Sequence, residues 1–469
     1  MFKRFIAVVA LVAVLTVPAL ASEGRQWPEH VFAPYVDMVA WVNPASEFSV
    51  NGAPGLGRLS EETGTLFFKL GFIQAVPGAG VSNGKVVWGW GGHGVLAPGQ
   101  QNSQYAGIRQ GIDDVRALGG DVAVSIGGLY GITPWEVTQD VDVLVATYLD
   151  IINEYGLTRL DLDIETAGST VEALNIINAR AIRQVQEQTG VEIALTLPVL
   201  PSGLTSRDQA VLRAYLSEGV DVALVNIMAM AYGPATIPEG HNYGTASILA
   251  SENTMRQIQD FFLRYAEIEL TEQEAYARLG STISIGFEGS AHPIFTPEWA
   301  ELVVEHAIEN GYGLASFWSV NRDAFLETPI NSGLTHRNEF TEIYLRFHEV
   351  FYEEDEDKEE EKEEKPPTTP EPPNPPPIPP PVEPEPEPIT PEVPPAQPEP
   401  PTPPPAPPEP PTQPEGVREF LDVFGTVYTR GEIWSFNGQL FEVLQTFTYW
   451  GDPNWKPGIA HSLWRVYNR

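Results

Sequence analysis

The stretch Leu160-Asp161-Leu162-Asp163-Ile164-Glu165 sets acids and aliphatics in strict alternation. On a β-strand alternate residues share a face, so the three carboxyl groups point one way and the aliphatic side chains the other. If the acid side is a protein interior, three neighbouring carboxylates cannot all keep their charge. Desolvation and mutual repulsion raise at least one pKa, and a proton is held. A carboxyl that keeps its proton is suited to general acid catalysis, the delivery of that proton to a leaving oxygen. A half-exposed strand with its acids in water would show the same alternation. Further candidates are Ser125 and Gly128 in Ser125-Ile126-Gly127-Gly128, Met230 and Tyr232 in Met230-Ala231-Tyr232, and Trp318. Taken alone, the serine and glycines could make a tight turn, and the aromatics could fill a core.

The elements that must hold these residues are legible as short β-branched runs separated by longer helix-compatible segments. The runs are Tyr35–Val42, Thr65–Gln74, Asp121–Gly127, Leu157–Glu165, Glu192–Leu197, Asp221–Met230, Thr282–Phe287 and Gly313–Trp318. Amphipathic stretches such as Val141–Glu154, Val171–Thr189 and Pro297–Asn310 lie between them. Strand then helix, eight times over, predicts a (β/α)8 TIM barrel with insertions, with a doubly wound open sheet as the alternative. In a barrel the carboxyl ends of the strands form the active-site face, and Glu165 stands at the end of its run.

With this order in view, Asp161-x-Asp163-x-Glu165 resembles the D-x-D-x-E signature of family 18 glycoside hydrolases, and Ser125-Ile126-Gly127-Gly128 resembles that family's S-x-G-G motif. Met230-Ala231-Tyr232 resembles the M-x-Y segment of strand six. Thr196–Pro201 and Phe317–Asp323 resemble strands five and eight of the bacterial chitinase D-like branch, and the likeness runs over about residues 33 to 348. The resemblance implies a chitinase cutting β-1,4-linked N-acetylglucosamine with retention and no cofactor. Glu165 would protonate the glycosidic oxygen while the substrate's own 2-acetamido carbonyl attacks the anomeric carbon, the substrate-assisted route. Asp163 would bond the acetamido N–H, Asp161 would stand behind it in the proton balance, Tyr232 would orient the acetamido oxygen, and Trp318 would floor the sugar. Ser125, Gly128 and Met230 would complete the substrate site. The sequence departs from the pattern at Thr158-Arg159, where many members have Asp-Gly, and at Ala231, where many have Asp. An endo-β-N-acetylglucosaminidase acting on glycoproteins and a non-catalytic chitin-binding lectin are the alternatives.

Composition frames the site. Residues 1–21 have the charged, apolar and small-residue order of a secretory signal peptide, which predicts a secreted, extracellular protein with residues 22–352 as its catalytic barrel. Later stretches are too short in apolar residues to span a bilayer. The chain has no cysteine, and its eight histidines show no paired metal-ligand spacing. A formal net charge of -36 disfavours nucleic acid as a partner and is compatible with an uncharged polysaccharide. Gly80–Lys85 has the glycines and lysine of a phosphate loop at the wrong spacing, with Val86 where Ser or Thr is needed.

Residues 353–416, Glu-rich and then Pro-rich, cannot form a core and are expected to act as a spacer. At about 3.1 Å per residue, the proline-rich part would reach on the order of 150 Å if fully extended. Residues 417–469 carry more aromatic rings than so small a domain can hide, and exposed flat rings stack on sugar faces. The segments Tyr428–Gly431, Phe436–Val443, Trp455-Lys456-Pro457 and Ser462-Leu463-Trp464 resemble carbohydrate-binding families 5 and 12, which implies a small all-β chitin-binding module. Trp455 would be its stacking ring, Tyr449 and Trp450 would add contacts, and Trp434 and Trp464 would be core. A monomer is expected.

Overall fold

The computed structural model describes residues 24–40, 48–286, 293–323 and 338–363, and farther on 418–420, 426–428, 431–436, 439–444, 447–449, 457 and 464–467. The expected leader at 1–21, Trp450 and Trp455 lie outside the described residues. The chain divides into two compact units, Met1–Glu356 and Asp357–Arg469.

In the first unit, β1 (Val31–Phe32) and β2 (Tyr35–Asp37) are successive pieces of one run. The strands that follow are β3 (Phe67–Ala75), β4 (Asp121–Gly127), β5 (Arg159–Asp163), β6 (Glu192–Leu200), β7 (Val222–Met228), β8 (Leu279–Ser284) and β9 (Leu314–Trp318). Each pairs in parallel with its sequence neighbour. Closure comes from the first run, whose Val31 and Phe32 pair with Leu314 and Ala315 while Tyr35 to Asp37 pair with Lys69 to Gly71. The sheet is therefore the closed barrel expected, and the open doubly wound alternative is excluded.

The outer helices are α1 (Leu56–Thr63), α2 (Ser103–Ala117), α3 (Val141–Tyr155), α4 (Glu172–Thr189), α5 (Ser206–Ser217), α6 (Tyr243–Ala266), α7 (Pro297–Asn310) and α8 (Glu339–Glu363). Side-chain caps start several of them: Asn102 accepts from Tyr105 N on α2, Asp140 from Val143 N on α3, and Thr296 from Trp299 N on α7. The last helix runs on through the acidic stretch assigned by composition to the spacer. Glu and Lys are good helix formers, so a stretch with no core can still extend a helix that a core has nucleated.

Alternation along the strands makes two cores. Leu160, Leu162 and Ile164 join Val122, Val124, Ile126, Ile193 and Leu195 in the layer between sheet and helices. Inward-facing Val31, Phe67, Ala123, Ala194, Leu224 and Leu314 form a separate plug that Trp27 closes. Arg159 lies over the Trp27 ring at 4.6 Å and pairs with Glu192 at 2.7 Å. The apolar plug seals the amino-terminal end of the barrel and leaves the polar layers above it next to the carboxyl ends of the strands. Among the described residues, no helix is long and apolar enough to cross a membrane.

In the second unit, Arg418–Glu419, Ile433–Phe436, Gln439–Val443 and Trp464–Val466 make a four-stranded sheet, and Thr426–Tyr428 pairs with Phe447–Tyr449. Tyr449 thus stands on a strand. Phe420, Tyr428, Trp434, Phe441, Val443 and Trp464 form the core of this unit.

Candidate active site

Above the apolar plug lies a layer of polar side chains centred on Asp161, which is fully buried. Its Oδ1 receives Lys69 Nζ at 3.0 Å and Thr196 Oγ1 at 2.7 Å. Its Oδ2 receives Tyr35 Oη at 2.8 Å and Ser125 Oγ at 2.6 Å. Thr196 is itself fixed by Asn226 Nδ2 at 3.0 Å, and Asn226 Oδ1 accepts from Thr282 Oγ1 at 2.9 Å. Tyr35, Lys69, Ser125, Asp161, Thr196, Asn226 and Thr282 come from seven different strands, so the layer exists only once the barrel is closed. Four of its donors converge on the one carboxylate, and Asn226 and Thr282 hold one of those donors in place, which is how a buried charge becomes tolerable.

Asp163, one strand pleat higher, has no such company. It hydrogen-bonds to Glu165, while its Oδ1 is buried with no partner. Burial, and after it the repulsion of Glu165 and Asp161, pushes its carboxyl well above the usual aspartate range, which favours a proton on the Asp163–Glu165 pair. Glu165 stands just past the end of β5 and is half-buried, at the carboxyl-terminal mouth. The strand therefore delivers an acid paired with Lys69 at the bottom, an acid with an unpartnered oxygen in the middle and a partly solvated acid at the rim.

The motif at the end of β4 shapes the neighbouring wall. Gly127 has φ 127°, and a Cβ there would stand 1.9 Å from the Asp163 carbonyl oxygen. Gly128, at φ 88°, would press a Cβ to 2.8 Å from the Phe72 ring, and its N–H donates to Asp163 O at 3.2 Å. Ser125 of the same motif belongs to the Asp161 layer. The segment thus makes the tight turn with its glycines, while its serine, fully buried, holds Asp161.

Trp318 ends β9, half-buried, and stacks on Phe72 with ring centroids 5.4 Å apart and an interplanar angle of 20°. Tyr35 packs against it from below at 5.9 Å. An aromatic floor therefore adjoins the acids. Met230 is half-buried just past the end of β7.

Tyr232 goes elsewhere. Strand alternation carried on from Asn226 would bring it inward, but Ala231 has a left-handed backbone, φ 50°, and the alternation breaks there. Tyr232 packs in the layer between sheet and helices, stacked on Tyr243, with its hydroxyl 3.5 Å from Ser247 Oγ of α6. Its hydroxyl therefore bonds to the helix layer rather than to the acids.

The segment Asn321-Arg322-Asp323 is a structural clasp. Asn321 bonds the backbone of Asp37 in both directions, Arg322 donates to Ser284 Oγ at 2.9 Å, and Asp323 caps α8 at Thr341 N at 2.9 Å. Trp88 and Trp90 are buried, bonded to Asp150 and Tyr155 of α3, so neither faces a sugar site. Gly80–Lys85 is a hairpin whose lysine pairs with Asp150. Among the described residues, no cluster of His, Cys, Asp or Glu could hold a metal ion.

Lys69, Tyr35, Thr196, Asn226 and Phe72 are site residues that the sequence patterns did not single out. Lys69 had a signal, being an ammonium within the otherwise apolar run Phe67-Phe68-Lys69-Leu70, which on a barrel strand requires a buried partner.

No protein-family model matches the chain. Over 317 residues it is 32% identical to "Probable bifunctional chitinase/lysozyme" of Escherichia coli (strain K12), covering 65% of this chain and 32% of that protein. Over 315 residues it is 31% identical to "Endochitinase 11" of Metarhizium anisopliae, covering 65% of this chain and 54% of that protein. The chain thus spans about a third and about half of the length of these two relatives. Among solved structures, the catalytic domain of a hyperthermophilic chitinase from Pyrococcus furiosus superposes with TM-score 0.56 at 26% identity, covering 70% of this chain and 98% of that one. Catalytic-site mutants of active domain 2 of the Pyrococcus furiosus enzyme, complexed with chito-oligosaccharides, match with TM-score 0.56 at 25% identity and cover 97% of that chain.

Proposed function

We propose, from the D-x-D-x-E pattern and the likeness to chitinases, that the protein is a secreted family 18 chitinase acting on β-1,4-linked N-acetylglucosamine by substrate-assisted, retaining catalysis. The observation that carries this reading is the state of Asp163. It is a buried acid bonded to Glu165, its carboxyl raised well above the usual range by burial, with one oxygen left unpartnered beside an aromatic floor. A 2-acetamido N–H supplies the missing donor to Asp163 Oδ1. The acetamido oxygen then forms a bond to the anomeric carbon as the proton shared by Asp163 and Glu165 passes through Glu165 to the glycosidic oxygen, the carbon–oxygen bond breaks, and the pair is left without its proton. Water opens the resulting oxazolinium ring, and Glu165, now a carboxylate, takes the water proton. Trp318 lies under the ring. Tyr232, turned into the helix layer, is left out of these steps.

Chitin targeting by residues 417–469 and secretion directed by residues 1–21 belong to the same proposal and rest on sequence. The test is product release from colloidal chitin by the wild type and by Glu165→Gln, read by mass spectrometry. Loss of the general acid is expected to lower turnover by on the order of 10²-fold or more while chitin binding is kept. Two proteins that both bind chitin and release nothing would make the barrel a lectin or one that needs another glycan, and would overturn the chitinase reading.

A further inference from the structure

Asp161 and Asp163 face the same interior, yet the structure treats them differently. Asp161 has two donors on each oxygen: Lys69 Nζ and Thr196 Oγ1 on Oδ1, Tyr35 Oη and Ser125 Oγ on Oδ2. An acid whose oxygens all accept has no hydrogen bond left to share with a neighbouring acid. Asp163 accordingly bonds upward to Glu165, and two carboxyl groups can share a hydrogen bond only around one proton. Three of the four donors to Asp161 are neutral hydroxyls. Lys69 is the cation, 3% exposed, with its Nζ also 3.1 Å from Thr196 Oγ1 and 4.4 Å from the centre of the Tyr35 ring.

We propose that Lys69 is the counter-ion of Asp161 and thereby a positioning residue for catalysis, keeping the shared proton on the Asp163–Glu165 pair at the mouth of the barrel. The proposal rests on the glycosidase reading above for its kinetic consequence but not for the ion pair itself. The ionisable groups facing this array are Tyr35 from β2, Lys69 from β3, and Arg159, Asp161, Asp163 and Glu165 from the β5 segment. Arg159 is already engaged by Glu192 at 2.7 Å. Tyr35 is pushed well above the ordinary tyrosine range by burial and stays neutral. Lys69 is thus the one cation among them left to balance Asp161. Burial draws its ammonium below the usual lysine value, and Asp161 opposes that fall. Without the ammonium, the negative charge of Asp161 is relieved by taking a proton from the array above, and the acid at the rim loses its partner.

The experiment compares wild type, Lys69→Met, Asp161→Asn and the double variant in the full-length chain, on a soluble chito-oligosaccharide across pH and by thermal unfolding across pH. In Lys69→Met, both limbs of the pH–rate profile are expected to move upward by about one unit, since removing a nearby cation raises carboxyl pKa values. Asp161→Asn leaves an unpaired ammonium and moves them downward, and the double variant returns them toward wild type. In unfolding, each single variant is expected to be less stable at about pH 8 than the double variant, because one unpaired buried charge is costlier than none. Limbs that stay in place in Lys69→Met while the rate falls would reduce Lys69 to a packing residue and overturn the proposal. So would a double variant no closer to wild type than Lys69→Met. If Lys69→Met does not fold, Asp161→Asn against the double variant carries the same comparison. A wild type that cleaves no chito-oligosaccharide, with the unfolding pattern intact, leaves the counter-ion standing and removes the glycosidase reading instead.

Discussion

A carboxyl group that holds its proton in a folded interior binds that proton more tightly than the unfolded chain does, which ties stability to pH. Asp163 is such a group, raised by burial and then by Glu165 and Asp161. Its contribution to stability is full below the ordinary aspartate value of 3.8 and is lost as pH climbs toward the raised folded value. Asp163→Asn keeps the shape and removes the titration. The variant is therefore expected to melt at a higher temperature than wild type at about pH 7, with the difference vanishing toward about pH 3. Equal melting temperatures across that range would show that Asp163 is not the group under strain. The same substitution is expected to lower turnover on chito-oligosaccharides, because an amide can neither ionise nor share a proton with Glu165. A gain in stability joined to a loss of rate is the pattern of a side chain kept for chemistry.

At the scale of elements, the end of β4 and the end of β5 are built to touch. Gly127 lies beside the Asp163 backbone so closely that a methyl group there would meet the carbonyl oxygen at 1.9 Å. Gly127→Ala must push β4 and β5 apart where the acids stand, and overpacking of this kind costs about 3 kcal/mol. A lowered urea midpoint together with a lowered rate is expected; a wild-type midpoint would mean that the two strand ends part freely. This geometry also marks how far sequence could reach. The run of strands and helices predicted the barrel, and the spacing of Asp161 and Asp163 predicted a shared inward face, because both are local periodicities. The partners of Asp161 lie 35 to 126 residues away in sequence, and no local pattern encodes them. Tyr232 shows the converse case. One left-handed residue, Ala231, ended the alternation on which an inward tyrosine depends. The acidic stretch after Glu353 was legible as lacking a core but not as the continuation of α8, since composition reports what can be buried and says little about where a helix already under way will stop.

For the whole molecule, the question is why a barrel complete in itself should carry residues 353–469. A catalytic site with an aromatic floor and a few acids grips only the few sugars it covers, and an insoluble polymer presents its chains at a surface from which a weakly held enzyme diffuses away. If the second unit binds the same solid, as proposed, each new encounter of the barrel with a chain becomes an intramolecular event, with an effective concentration set by the intervening residues. That gain exists for a solid substrate and disappears for a dissolved one. Trp455→Ala, made in the full-length chain, is therefore expected to leave hydrolysis of soluble chito-oligosaccharides unchanged and to lower release from suspended chitin roughly tenfold, within the range that tethering provides. The rates on both substrates, measured side by side at low enzyme concentration, check this directly. If Trp455→Ala slows both substrates alike, the damage has reached the barrel's own chemistry or folding; if it slows neither, the second unit serves something other than attachment to chitin.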